Sequence, residues 1–233
     1  MLQDDDSNPD QVGTTTDSQT DDSSTATEGG GTATATEEGE TTNATEEGGT
    51  GTGNPEASGN ACFDYTVPGT VTVLAQPSGM TCWATVSTMM LGWHDNQAYT
   101  IQAAMDKAGS VYRQKFDADG GLSGSEKPAF LSALGLVAEP PMDYSVQGFL
   151  DLLKNYGCLW VTTDEDPSAN FAIHARIVAG MFGDGTPDGT SLRIIDPAGG
   201  TRYDETYSAF VKKYEEVISQ NQPLRVQVVH FGS

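Results

Sequence analysis

Residues 1–60 contain no lysine, no arginine, no aromatic residue and no cysteine, and their fourteen carboxylates sit among threonine, serine, glycine and alanine. A stretch with so little apolar surface to bury cannot offset the entropy of ordering its backbone, so a disordered acidic tail is expected there. Basic residues are scarce throughout: 11 Lys and Arg face 33 Asp and Glu, a formal charge of −22. Such acidity excludes nucleic acid and anionic membrane as partners. No apolar run reaches the roughly 18 residues that a membrane-spanning helix needs. Three cysteines allow at most one pair and one free thiol, and no Cys/His spacing suits zinc, so neither a metal nor a cofactor is expected.

What remains, residues 61–233, holds every Trp, Tyr and Phe of the chain, all 11 basic residues and nineteen of the acidic ones. That is enough for one domain with a core. Its patterning is α+β. Short strands are predicted over residues 63–67 and 70–75, then helices over 82–93, 100–107, 126–134 and 145–156. Strands follow over 158–163, 174–182 and 191–195, a helix over 204–219 and a last strand over 224–231. The Asp117-Ala118-Asp119-Gly120 and Asp184–Gly189 segments have some look of calcium loops but lack the glutamate at loop position twelve, and read as turns.

The chemistry concentrates in three windows. Gln76-Pro77-Ser78-Gly79-Met80-Thr81-Cys82-Trp83-Ala84 places a turn, a plausible N-cap at Thr81 and then Cys82 at the head of a helix whose Trp83, Val86, Met89, Met90 and Trp93 recur every three or four residues. Thiolate is the nucleophilic form of cysteine, and a helix N-terminus favours an anion. Gln76 can fold its amide back beside the sulfur, where it and the backbone N–H of Cys82 would stabilise an oxyanion.

Three histidines compete as base. His94 is twelve positions along the same helix, about 18 Å away at about 1.5 Å per residue, and is excluded. His230, in the last apolar run, is either a core-edge residue or a reserve candidate. His174 heads a half-buried strand, and the next strand delivers Asp196 in Ile194-Ile195-Asp196-Pro197. A turn-rich hairpin between them can bring base and orienting carboxylate together.

In the order Gln76, Cys82-Trp83-Ala84, His174 and Asp196-Pro197, the chain from residue 61 to 233 resembles the papain-like cysteine peptidases. It is most similar to bacterial members, the bacteriocin-leader-processing peptidases and the papain-like effector proteases. The resemblance implies a helical part carrying the cysteine followed by an antiparallel sheet carrying His and Asp. It further implies that Gln76 is the oxyanion donor, Cys82 the nucleophile, His174 the general base and acid, and Asp196 the orienter. Two features depart from the plant and lysosomal enzymes: an Asp in place of Asn, and Met80-Thr81 where they carry Gly-Ser-Cys before Cys-Trp.

The expected activity is hydrolysis of peptide bonds through a thioester, with a peptide or protein as partner. A thiol amidase, deamidase or transglutaminase would share the same set, and an inactive binding module on an acidic stalk is the reading from another class. If Cys82 is the nucleophile, Cys62 and Cys158 are left either as a disulfide or as independent thiols, Cys158 then being a reduced core residue. The Thr/Gly/Glu-rich tail resembles the stalk of an exported or lipid-anchored bacterial protein, so a secreted or cell-surface location is expected, with any anchor in a segment ahead of Met1. Substrate-binding walls are expected from residues 121–125 and 164–170.

Overall fold

A computed structural model describes residues 62–165, 173–220 and 228–232. The acidic tail expected over residues 1–60 lies outside them. In chain order the elements are β1 (Phe63–Thr66), α1 (Cys82–His94), α2 (Ile101–Ala108), α3 (Ser110–Asp117), α4 (Lys127–Ala133), β2 (Leu136–Ala138), α5 (Val146–Tyr156), β3 (Leu159–Asp164), β4 (Ile173–Gly183), β5 (Thr190–Asp196), β6 (Thr201–Thr206), α6 (Tyr207–Gln220) and β7 (Val229–Phe231). The result is α+β, with most helices ahead of the main strands.

The strands form one antiparallel sheet in the order β2-β7-β3-β4-β5-β6, and β1 also pairs with β4. Every residue of β3 is buried, as are Ala175 to Met181 of β4, so the strand read as half-buried from His174 onward is covered on both faces over most of its length. Helix α1 is buried from Trp83 to Leu91 on all sides and packs on β4 and β3. A helix buried all round belongs in a core, and the Thr85, Ser87 and Thr88 hydroxyls are satisfied there by donating to carbonyls one turn back. By contrast α5 buries one stripe, Val146, Phe149, Leu150 and Leu153, and Ser145 caps it by accepting the Gly148 N–H at 3.1 Å.

Several sequence expectations are corrected. Residues 70–75 form no strand: Val71 and Val73 alternate, but the segment is fixed by other bonds, from Arg202 Nη2 to the Val71 carbonyl (2.8 Å) and from the Leu74 N–H to Met89 Sδ (3.3 Å). Residues 204–206 belong to β6 rather than to the following helix, since their backbone is taken up by the β5 ladder, Asp204 opposite Arg193 and Glu205 opposite Leu192. Helix α3 and strand β2 are additional. Of the predicted last strand, residues 224–227 lie outside the described residues. No Cys62–Cys158 disulfide forms: Cys62 is an exposed free thiol and Cys158 a fully buried one, its ionisation pushed up to about 12 by that burial.

Candidate active site

Cys82 is the first residue of α1, reached through a turn tied down at several points. The Thr81 hydroxyl donates to the Ser78 carbonyl (2.9 Å) and accepts the Ser78 N–H (3.3 Å). Thr81 stands at the N-cap position, but its side chain makes no capping bond to the helix. The capping expectation is thus corrected: the hydroxyl closes the preceding turn, and the first N–H groups of α1 keep their donors for the region of the sulfur.

A second loop braces this turn. Asp119, at a left-handed φ of 51°, accepts from the Ser78 hydroxyl (2.6 Å) and the Met80 N–H (3.1 Å), and Trp83 Nε1 donates to the Gly120 carbonyl (3.0 Å). Aspartate tolerates that backbone better than most residues. The segment with the look of a calcium loop is therefore a brace for the nucleophile turn, a role that sequence reasoning missed.

The β4–β5 hairpin sets Ile177 opposite Ile195, which puts His174 near the start of one strand and Asp196 at the end of the other. His174 Nε2 meets Asp196 Oδ1 at 2.6 Å. The Cys82 side chain lies near enough to the imidazole to favour its charged form. Burial works against an imidazolium here, but the Asp196 bond, the nearby Cys82 sulfur and the charge of Asp196 outweigh it and lift His174 to about 9.

Asp196 is in turn fixed. It accepts the Ala198 N–H (2.7 Å) on Oδ1 and the Tyr203 hydroxyl (3.1 Å) on Oδ2. Burial favours its neutral form, yet the bonds from His174, Ala198 and Tyr203 hold its carboxyl below the usual range. Behind it, Arg176, fully buried, donates through Nη1 to Tyr203 Oη (2.7 Å) and Glu205 (2.8 Å), and through Nε to Thr163 (3.1 Å). Its Nη2 lies 2.9 Å from Glu165 in an ion pair whose angle is too poor for a hydrogen bond. Lys213 bridges Glu165 (2.8 Å) and Glu205 (2.7 Å). Arg176 and Tyr203 thus connect the site carboxylate to a charge-balanced cluster. The signal was faint: a lone arginine in an apolar strand implies buried anionic partners.

Gln76 joins the same place by its backbone, its N–H donating to the Pro197 carbonyl at 2.8 Å. Gly200, at a φ of 63°, passes so close to Ala75 that a Cβ there would sit 3.1 Å from its amide nitrogen. The Gln76 side chain points its Nε2 at the carbonyls of Ser78 (2.9 Å) and Gly79 (3.3 Å), and its Oε1 is buried without a partner. The other two histidines stand elsewhere. His94 is bonded to Asp95 (2.8 Å) and stacked on Phe231, and His230 lies between Glu139 (2.8 Å), the Phe231 carbonyl (2.8 Å) and the Tyr156 ring.

Beside Cys82 opens a cavity of about 390 Å³ lined by Trp83, Leu122, Trp160, Ile173 and Ala175 among others. Of the two expected wall segments, Gly121, Leu122 and Ser123 line it, and residues 166–170 lie outside the described residues. Among the described residues no group of three or more His, Cys, Asp or Glu side chains could hold a metal ion, and no helix is long and apolar enough to cross a membrane.

No curated protein matches the chain. Among solved structures, a C39-like peptidase from Bacillus anthracis matches with a TM-score of 0.46 and 13% identity, over 73% of this chain and 98% of its own. The model of the family described as papain-like cysteine protease AvrRpt2 matches residues 62–215, a span that contains Gln76, Cys82, His174 and Asp196. With two thirds of its length matched by that family, the chain belongs to the papain-like cysteine proteases of peptidase family C70 and is a cysteine peptidase.

Proposed function

We propose that Cys82 is the nucleophile of this peptidase, His174 its general base and acid, Asp196 the group that orients and charges His174, and Gln76 with the Cys82 N–H the oxyanion donors. The observation that carries this reading is the His174 imidazole, bonded to Asp196 at 2.6 Å through Nε2 and near enough to Cys82 for the sulfur to favour its charged form. With Nε2 committed to the carboxylate, Nδ1 is the nitrogen left to exchange a proton with sulfur.

The Cys82 sulfur, its proton on His174, attacks the scissile carbonyl carbon, and the carbonyl π electrons move to oxygen. The oxyanion forms near the first turn of α1, where the Cys82 N–H and the helix dipole meet it. Gln76 Nε2 already holds two carbonyls, and the longer bond, 3.3 Å to Gly79, is the one that a developing oxyanion would replace. As the tetrahedral adduct collapses, the C–N bond breaks and His174 gives its proton to the departing amine. Water then adds to the thioester with its proton passing to His174. The C–S bond breaks, the acid leaves, and the thiolate–imidazolium pair is restored.

On this reading the catalytic domain is residues 61–233, and residues 1–60 are an acidic spacer on a secreted or surface-held enzyme. The support is composition: the tail supplies no cation, aromatic ring or thiol to the chemistry. The substrate is a peptide or protein segment. Replacing Cys82 by alanine removes only the sulfur from a half-buried position, so the variant should melt with the wild type and turn over nothing. Residual turnover in Cys82→Ala would place the nucleophile elsewhere.

A further inference from the structure

The cavity beside Cys82 is mostly apolar, with the Ser123 and Thr162 hydroxyls and a single charged side chain in its lining. Lys127, the first residue of α4, lines it together with Trp160, Leu122 and Val217, and its ammonium stands 5.5 Å from the centre of the Trp160 ring. The remaining lysines are accounted for. Lys107 pairs with Asp95, Lys115 with Glu126 and Lys213 with Glu165 and Glu205, while Lys154 and Lys212 are exposed. Lys127 is half-buried, and among the described residues no carboxylate pairs with it. Its sequence neighbour Glu126 is already taken, one oxygen by Lys115 (2.9 Å) and the other by the Ser123 hydroxyl (2.5 Å) and N–H (3.0 Å).

An ammonium in such surroundings is poorly solvated, and burial with nothing to oppose it pulls Lys127 down to about 8. The Trp160 face compensates a cation in part. A carboxylate brought into the cavity would supply the missing counter-charge. In a domain so rich in acid, a cation lining the same cavity as the thiol with no carboxylate partner among the described residues discriminates between ligands more than it contributes to the fold.

We propose that this cavity receives a substrate side chain with an apolar stem and a carboxylate end, and that Lys127 selects it. Glutamate suits the lining better than aspartate, having a second methylene to lay against Trp160 and Leu122. The assignment rests on the peptidase reading for its link to turnover, but the binding itself needs no chemistry. Lys127 is here a specificity determinant and takes no part in bond making.

The test uses the full chain with Cys82→Ala, so that binding is read without cleavage. Acetylated, amidated pentapeptides carrying Glu, Gln or Leu at each position in turn are titrated by calorimetry. At one position Glu should bind about tenfold or more tighter than Gln. Adding Lys127→Met, which keeps the length and apolar stem, should erase that difference and bind the Leu peptide at least as tightly, since no ammonium is then left to desolvate. A Glu preference that survives Lys127→Met overturns the proposal, as does equal binding of Glu and Gln at every position. The same peptides left un-amidated form a second set, and tighter binding seen only with their free C-terminal carboxylate overturns it too. Turnover by the protein with Cys82 intact is scored separately. Glu-selective binding without any cleavage would leave the cavity assigned and remove the peptidase roles instead.

Discussion

Changing Asp196 to asparagine would keep the shape of the group behind His174 and take away its charge. An amide oxygen at the Oδ1 position can still accept from His174 Nε2 and the Ala198 N–H, which now lie at 2.6 and 2.7 Å. On the other arm the Tyr203 hydroxyl, which donates to Oδ2 at 3.1 Å, would face an NH2 group and have to turn its proton away. The charge removed is one of the two that, against burial, raise His174 from 6.5 to about 9. With the Cys82 sulfur left alone to oppose burial, His174 should fall back toward 6.5, each unit being worth about 1.4 kcal/mol. The alkaline limb of kcat/KM, where His174 loses the proton it must give to the leaving amine, is expected near pH 9 in the wild type. In Asp196→Asn it should move down by about one unit or more, so the variant should lose more activity at pH 8 than at pH 6. Tyr203→Phe, which removes one of the bonds that keep Asp196 ionised, should shift the same limb in the same direction by less.

Stability supplies an independent readout. A folded pKa raised above its unfolded value favours the folded state fully below about 6.5, and that contribution disappears as pH rises through about 9. Wild-type melting temperature should accordingly decline across that window, and the decline should flatten in Asp196→Asn. An alkaline limb that stays near pH 9 in the asparagine variant would refute the role given to Asp196.

Gln76→Ala should lower kcat by roughly a hundredfold with little change in substrate binding, the pattern of a lost oxyanion donor. A fall in melting temperature with kcat unchanged would instead make Gln76 a brace for the Ser78 and Gly79 carbonyls. Deleting residues 1–60 should leave melting temperature and turnover of a small peptide unchanged. A sharp gain in turnover would mark the tail as inhibitory.

Much of this site was legible because each window carries its own local signal. The apolar spacing from Trp83 onward fixed where α1 begins and hence where Cys82 sits, and the helix length alone disqualified His94. The runs around His174 and Ile194 read as adjacent strands because both lie in the buried middle of the sheet. Strand β6 failed to read because its Thr-Arg-Tyr-Asp-Glu-Thr sequence lies at an exposed edge, where charge replaces the apolar alternation. Helix α3 buries only Phe116 and carried no stripe to detect. The Asp119 brace, the Tyr203 bond to Asp196 and the Lys127 end of the cavity all depend on residues brought together from distant loops. No spacing in the sequence reports such contacts.

The nucleophile's identity is tested most directly by labelling with limiting iodoacetamide at pH 6, with each thiol located by peptide mapping. The chain contains its own controls: Cys158 is fully buried and should stay unlabelled, and Cys62 is exposed and should react at the rate of an ordinary thiol. Cys82 should label far faster than Cys62, turnover should fall in step with that label, and His174→Ala should abolish the difference. Equal labelling of Cys82 and Cys62, or turnover that persists once Cys82 is fully labelled, would contradict the account.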